Sequence, residues 1–342
     1  MANSLVHSLA QILMQDSLLT LEILPGGLES WLTAPPGVMQ PSADFPFVYV
    51  DGHLGVPKKI LYQLYLSALG LLKSESAASQ LDASCAILLA NPAHQTALNV
   101  RKHNIQSGTL SAHAELKFSA ILLPSSRPCS KESIQWAHRR WCFNSLYPRS
   151  FPDFGPPLQG WTGPSEVPEI PPDAVEKEFD LISRCCEAYP RNYHAWSHHH
   201  FVTQCIYVSL RSSHPADSPF LALFTAEFMN LRRWIESHVS DYSAMHQFCS
   251  IVSRLQSLDL PQYHAALEPL ADPSIHFEHA MSLITIFPEH ESLWMYLRAT
   301  ISMSPNFKGL ASSAIVSTAA LDGPHREKFI LWTKSRDPSF TT

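Results

Sequence analysis

Apolar residues recur every three or four positions from residue 57 almost to the end of the chain, a period that predicts helices over 58–73, 77–90, 92–106 and 112–123 with short breaks between them. Ahead of this stretch, Leu5, Leu9, Ile12, Leu13 and Leu19 have the spacing of a short amphipathic helix. The segment from Pro25 to Pro57 is rich in proline and glycine and reads as irregular chain, with at most a short strand over 45–50. The pattern thus divides the chain into an N-terminal part, residues 1–56, and a helical body, residues 57–335. The body closes on a capping helix from Pro324 to Trp332, and residues 336–342 form a frayed polar tail.

Within the helical body one short pattern returns five times. The clearest copies run from Ser130 to Arg140 and from Pro190 to His198, centred on Trp136 and Trp196, and a third, His290 to Arg298, is centred on Trp294. Two degenerate copies are centred on Leu98 and Met245, so that successive centres lie 38, 60, 49 and 49 residues apart. Repetition at this period means stacked helical hairpins, because a single hairpin cannot bury its apolar face alone. The copies follow Asn91-Pro92, Ser130, Tyr189-Pro190, Ser240-Asp241 and Phe287-Pro288, residue types that satisfy or dispense with the orphan N–H groups of a helix start. The expected fold class is all-α, a right-handed superhelical solenoid of antiparallel helical hairpins, with Leu98, Trp136, Trp196, Met245 and Trp294 packed between hairpins. The widest gap holds a Pro-rich insertion at about 147–172, expected to be a surface loop that interrupts the array without ending it.

Composition sharpens this picture at the margins. With 45% hydrophobic and 16% charged residues, the chain can bury a large core, and its low charge points to apolar surface covered by another protein. A net charge of −6 lacks the basic signature of a nucleic-acid binder. No run of about 18 apolar residues predicts a membrane span, and the N-terminus lacks the basic region of a secretory signal. Seven scattered cysteines without a C-x-x-C pair point to a reducing compartment, with the cytoplasm as the expected address.

Candidate chemistry follows from the repeat. Arg101, Arg139, Arg140 and Arg298 stand three or four positions after their central residue, with His199 and His200 in these places in the third copy and Phe248 in one of them in the fourth. The arginines are expected to bond to carbonyls or carboxylates of the adjacent hairpin; the alternative is a basic lining that holds anions. His194 and His198 have the i, i+4 spacing of a metal pair, but no glutamate lies between them and no third ligand is evident, so no metal site is expected. No phosphate-loop, dinucleotide or nucleophile-elbow motif occurs.

The five copies resemble the signature of protein prenyltransferase α subunits, approximately Pro-Lys-Asn-Tyr-x-x-Trp-x-x-Arg. Pro190 to Trp196 is close to a literal match, and Glu291 to Arg298 resembles the last repeat of that family. The likeness covers roughly residues 50–335. Within the family the chain looks most like a repeat-containing group, on the stretches 88–92, 98–102, 107–110, 136–141 and 238–241. The resemblance implies an α subunit wrapped around a catalytic β subunit of the Rab geranylgeranyltransferase type. It implies geranylgeranyl diphosphate as the isoprenoid donor and a SNARE protein as the acceptor. The catalytic zinc is expected in the β subunit, and no cofactor in this chain.

Register then implies residue roles. The lysine five positions before the second tryptophan of that family reaches the diphosphate, and here it is Lys131; the tyrosine and histidine before the third are Tyr193 and His194, with Arg191 beside them. Lys131 and His194 are the implied catalytic pair, and Lys131, Tyr193, His194 and Arg191 the implied diphosphate-facing set. Ser133 at a tyrosine position, His199 and His200 at arginine positions, and the fourth copy without Trp and Arg depart from the family. They imply either a weaker phosphate face or a reshaped partner surface. The contrasting functional class is a non-catalytic helical-repeat scaffold that binds other proteins.

Overall fold

The computed structural model describes residues 2–32, 41–150, 167–212, 218–257 and 264–340. The described residues form α1 (Ala2–Leu13), a small sheet of β1 (Thr20–Leu24), β2 (Val48–Val50) and β3 (His53–Pro57), and then helices almost throughout. These are α2 (Lys58–Leu71), α3 (Ala77–Ala90), α4 (Gln95–Gln106), α5 (Ala112–Leu122), α6 (Arg127–Lys131) and α7 (Ser133–Leu146). A two-residue pairing of β4 (Arg149–Ser150) with β5 (Val167–Pro168) follows. The remainder is α8 (Pro172–Ala188), α9 (Tyr193–Ser212), α10 (Pro219–Ser237), α11 (Tyr242–Ser257), α12 (His264–Ala271), α13 (Pro273–Ile286), α14 (Glu291–Met303), α15 (Phe307–Ser317) and α16 (Pro324–Arg336). The fold is an all-α helical repeat. No helix of the described residues is long and apolar enough to cross a membrane.

The N-terminal segment holds more order than its composition predicts. β2 and β3 form a hairpin whose two loop residues, Asp51 and Gly52, both have positive φ (48° and 85°), which matches the twist of the flanking strands. β1 then pairs with β3 in parallel, Thr20 opposite His53. Gly55 and Pro57 inside β3 weaken its alternating pattern, so only the Asp51-Gly52 turn announces it. Leu21, Leu54 and Val56 pack into one core with α1 and the helices that follow.

By internal packing the chain divides into two compact units, Met1–Cys205 and Ile206–Thr342. In the first, α3 packs on α4 and α5 on α7; in the second, α10 packs on α11 and α13 on α14. Four of the five repeat copies share one connection of four residues: 91–94, 189–192, 238–241 and 287–290. The first residue of each closes the preceding helix in nearly the same backbone conformation, with φ of −138°, −136°, −128° and −128°. The last residue of each lies four positions before the central residue of its copy, and the second copy keeps that register through Glu132, which caps α7. His94, Asn192 and Asp241 accept backbone N–H bonds from the third residue onward (3.2, 3.2 and 3.3 Å), the geometry of N-caps.

Burial of the central side chains follows from that shared register. Trp136, Trp196, Trp294, Leu98 and Met245 are all at most 5% exposed. The indole N–H of Trp136 donates to the Ser130 carbonyl and that of Trp294 to the Pro288 carbonyl, each at 2.7 Å and six residues back. An aromatic ring buried with its one donor satisfied supplies area without a desolvation cost. Residues 151–166 of the expected insertion lie outside the described residues. Trp136→Ala is expected to lower the free energy of unfolding by about 3–5 kcal/mol, measured by denaturant titration, because it removes both the ring and its carbonyl bond.

Candidate functional site

Two kinds of basic residue emerge from the repeat, and the structure separates them by burial. Arg101 on α4 is fully buried and binds the Glu115 carboxylate of α5 through Nε (2.9 and 2.8 Å) and Nη2 (2.6 Å). Its guanidinium also sits 4.0 Å above the Phe118 ring. One repeat later, Arg139 on α7 grips Glu178 of α8 with Nε (2.7 Å) and Nη2, while Nη1 donates to the Leu116 carbonyl and the Ser119 hydroxyl. Both arginines therefore bond to the adjacent hairpin rather than lining a surface.

Each of these carboxylates is also held from its own hairpin. His138 Nε2 lies 2.7 Å from Glu115, and His198 Nε2 lies 2.7 Å from Glu178. His138 and His198 each stand two residues after the tryptophan of their copy, Trp136 and Trp196, and Arg101 and Arg139 each stand three residues after the centre of the preceding copy, Leu98 and Trp136. The result is a recurring Arg–Glu–His clasp: Arg101–Glu115–His138 at one junction and Arg139–Glu178–His198 at the next. Burial alone would raise each carboxylate pKa, but the flanking cations outweigh it and hold Glu115 and Glu178 down to about 2. His198, enclosed beside Trp136 and Phe201, is pushed down to about 4 by burial despite the attraction of Glu178. In the second unit aromatic packing takes the same positions. Phe248 stands where the arginine would be, with its ring 5.1 Å from that of His276 and 5.8 Å from that of Tyr296.

The family-implied residues lie on one edge of the first unit. Ser130, Lys131 and Glu132 form the junction of α6 with α7. Asn192 fastens that junction to the turn before α9, donating through Nδ2 to the Ser130 carbonyl (3.0 Å) and hydroxyl (2.7 Å). Lys131 Nζ donates to the Pro190 carbonyl at 2.9 Å. Lys131 and Arg191 occupy equivalent positions of the second and third copies, each one residue before the cap, and the structure brings both to this turn. Arg191 has φ of 59°, a left-handed conformation that costs a residue with a Cβ about 1–2 kcal/mol. Tyr193 is 68% exposed, and its ring meets that of His194 edge-on at 5.4 Å. Partial burial lowers the His194 pKa; Arg140 pushes it the same way and Glu132 opposes them. At neutral pH His194 is therefore an uncharged donor beside two cations and the positive end of α9.

The residue types at this edge, a lysine, an arginine, a tyrosine and a histidine around the start of α9, are those that suit an anion with several oxygens. His198 is turned to Glu178, and the described residues contain no group of three or more His, Cys, Asp or Glu side chains placed to hold a metal ion. A separate cavity of about 620 Å³ opens between α5, α7 and α8, with Arg139 and Glu178 among its lining. Its lysines and arginines are already committed, Arg139 to Glu178, Lys117 to Asp16 (2.5 Å), Lys177 to Asp173 (3.1 Å) and Arg184 to Asp180 (2.9 Å).

Comparison with known proteins shows what this chain is similar to. Residues 175–206, which hold Glu178, Tyr193, His194, Trp196 and His198, match the model of the protein prenyltransferase alpha subunit repeat. The chain is 28% identical over 313 residues to the Homo sapiens protein prenyltransferase alpha subunit repeat-containing protein 1, covering 81% of this chain and 73% of that protein. It is 28% identical over 301 residues to repeat-containing protein 1-A of Xenopus laevis (75% of this chain, 64% of that protein). The Danio rerio repeat-containing protein 1 is 27% identical over 282 residues (74% and 63%). The chain thus spans about two thirds of the length of these relatives.

The clasps and the turn respond to different perturbations. Because His198 binds protons less readily folded than unfolded, stability should fall as pH drops from about 6.5 towards 4, by on the order of 2 kcal/mol from this residue. Glu178 extends the loss below pH 4.5 as its carboxylate is forced to protonate. Unfolding titrations across this range should show His198→Gln with a shallower slope between pH 6.5 and 4; an unchanged slope would leave the clasp without a role in acid sensitivity. Arg191→Gly, which relieves the left-handed strain, should raise the unfolding free energy by about 1 kcal/mol.

Proposed function

From a chain that carries the protein prenyltransferase alpha subunit repeat and resembles the repeat-containing group over most of its length, we propose that it is the α subunit of a heterodimeric protein prenyltransferase. In this reading it is inactive alone. A β subunit of the Rab geranylgeranyltransferase type holds the zinc and the isoprenoid, geranylgeranyl diphosphate is the donor, and a SNARE cysteine is the acceptor. The free state of the cysteines suits a cytosolic setting for the reaction.

The role of this chain is to hold charge. As the acceptor thiolate bonds to C1 of the isoprenoid, the C1–O bond breaks and negative charge gathers on the departing diphosphate. Donors already in place stabilise that charge without reorganising. Lys131 supplies a full positive charge, His194 and Tyr193 supply neutral donors, and Arg191 extends the cationic edge. The observation that carries the reading is the 2.9 Å bond from Lys131 to the Pro190 carbonyl, which sets the lysine of one copy on the turn that bears the tyrosine and histidine of the next.

A second reading, a non-catalytic scaffold that uses the repeat only to bind proteins, draws on Glu132. Its carboxylate places negative charge beside His194, against an incoming anion. The two readings part on one experiment: co-expression with candidate β subunits and a prenyl-transfer assay on cytosolic protein. The α-subunit reading expects a stable complex that transfers the isoprenoid, and Lys131→Ala is expected to leave the complex assembled while slowing transfer on the order of 10²-fold. Equal rates would remove Lys131 from the mechanism, and no transfer with any β subunit would favour the scaffold.

A further inference from the structure

α2 is apolar on both of its sides. Leu61, Leu64 and Ala68 are buried in the core of the first unit, while Tyr62 and Leu66, one turn apart on the outer side, are 62% and 52% exposed. Leu69 continues this outer stripe, partly buried, and Gly70 follows it. A Cβ built on Gly70 would meet nothing within 4 Å, so nothing among the described residues covers that end of the stripe. A surface helix ordinarily turns polar and charged residues to solvent, and one that is apolar all round has its outer side covered as well.

The charge around the stripe has a single sign. From Gly52 to Ser74 the chain carries three lysines and no acidic residue, although its net charge is −6. Lys58 and Lys59 open α2 and Lys73 lies just past its end, and all three are exposed. Lys59 meets Glu29 at 3.0 Å, whereas Lys58 and Lys73 have no ion-pair partner among the described residues. Lysines in a first turn oppose the helix macrodipole, so they do not serve the stability of α2 itself.

These features select the occupant. Two outward apolar side chains fall far short of the roughly 800 Å² per partner that a stable protein interface buries. A second copy of the chain would set lysine against lysine. A bilayer surface demands less area. Lysine stems lie along apolar surface with their ammonium groups among the headgroups, a tyrosine ring sits at the same depth, and each lysine strengthens binding to acidic lipid about fivefold. With 14 residues α2 is too short to span a bilayer and long enough to lie in its surface. We infer that the outer face of α2 docks the chain on a membrane surface rich in anionic phospholipid, with Tyr62 and Leu66 entering the headgroup region between Lys58 and Lys73. The inference uses no residue of the edge before α9 and stands apart from the α-subunit reading.

Co-sedimentation of the full chain with vesicles of equal parts phosphatidylserine and phosphatidylcholine tests it, beside vesicles of phosphatidylcholine alone. Wild type is expected to bind the mixed vesicles, to bind them less as salt rises, and to leave pure phosphatidylcholine in the supernatant. Replacing both free lysines, Lys58→Gln with Lys73→Gln, should weaken binding about 30-fold at an unchanged melting temperature, and the corresponding pair of arginine substitutions should restore it. Leu66→Gln should weaken it about tenfold. No binding of wild type to the mixed vesicles, equal binding to both kinds, or equal binding by the variants overturns the inference. Weaker binding that appears only together with a lower melting temperature overturns it too. So does a Leu66→Gln chain that keeps its vesicle affinity but no longer holds a co-expressed β subunit, which would assign this face to a protein partner.

Discussion

The two-point grip of Arg139 on Glu178 ties α7 to α8 across 39 residues of chain, the longest reach of any clasp in the first unit. Both groups are almost fully enclosed, at 4% and 2% side-chain exposure, and neither is tolerable there alone. Arg139 also holds α5 through the Leu116 carbonyl and the Ser119 hydroxyl, and Glu178 holds α9 through His198. Four helices therefore meet on one ion pair. Where α7 and α9 stand relative to each other decides whether Lys131 reaches the turn before α9, so the candidate site depends on a contact outside it.

This arrangement explains why similar residues in one motif have different fates. The arginine three positions after the tryptophan is rotated into the junction, where the next hairpin presents a glutamate. The one four positions after it is rotated away and meets none. Burial of the first kind adds specificity of register more than net stability, because desolvation offsets much of the attraction between the charges. Lys131 and Arg191, both one residue before a cap, lie outside the junction and keep their charge for the edge. The repeat thus spends one set of cations on architecture and leaves another beside the N-terminus of α9.

Much of the fold was legible in the sequence because its signals are local. Proline, asparagine, serine and aspartate at helix starts, and a large apolar residue four positions on, mark the hairpins even where Leu98 or Met245 replaces tryptophan. The small sheet was not legible, since Gly55 and Pro57 obscure β3 and its parallel partner β1 lies far away in sequence. The clasps were half legible. Their arginines and histidines sit at fixed offsets from the centre, but Glu115 and Glu178 lie 14 and 39 residues after their arginines, so no constant spacing reveals the pairs. The implied site residues were found through family resemblance, and the structure adds their common turn and the left-handed Arg191.

A double-mutant cycle on Arg139→Met and Glu178→Leu, followed by denaturant unfolding, tests most directly whether this ion pair organises the first unit. Each single change is expected to cost about 3–5 kcal/mol, because it strands a buried charge, while the double mutant should lose far less than the sum and approach wild-type stability. Costs that simply add would contradict it, and would show that Arg139 and Glu178 contribute separately rather than as one clasp.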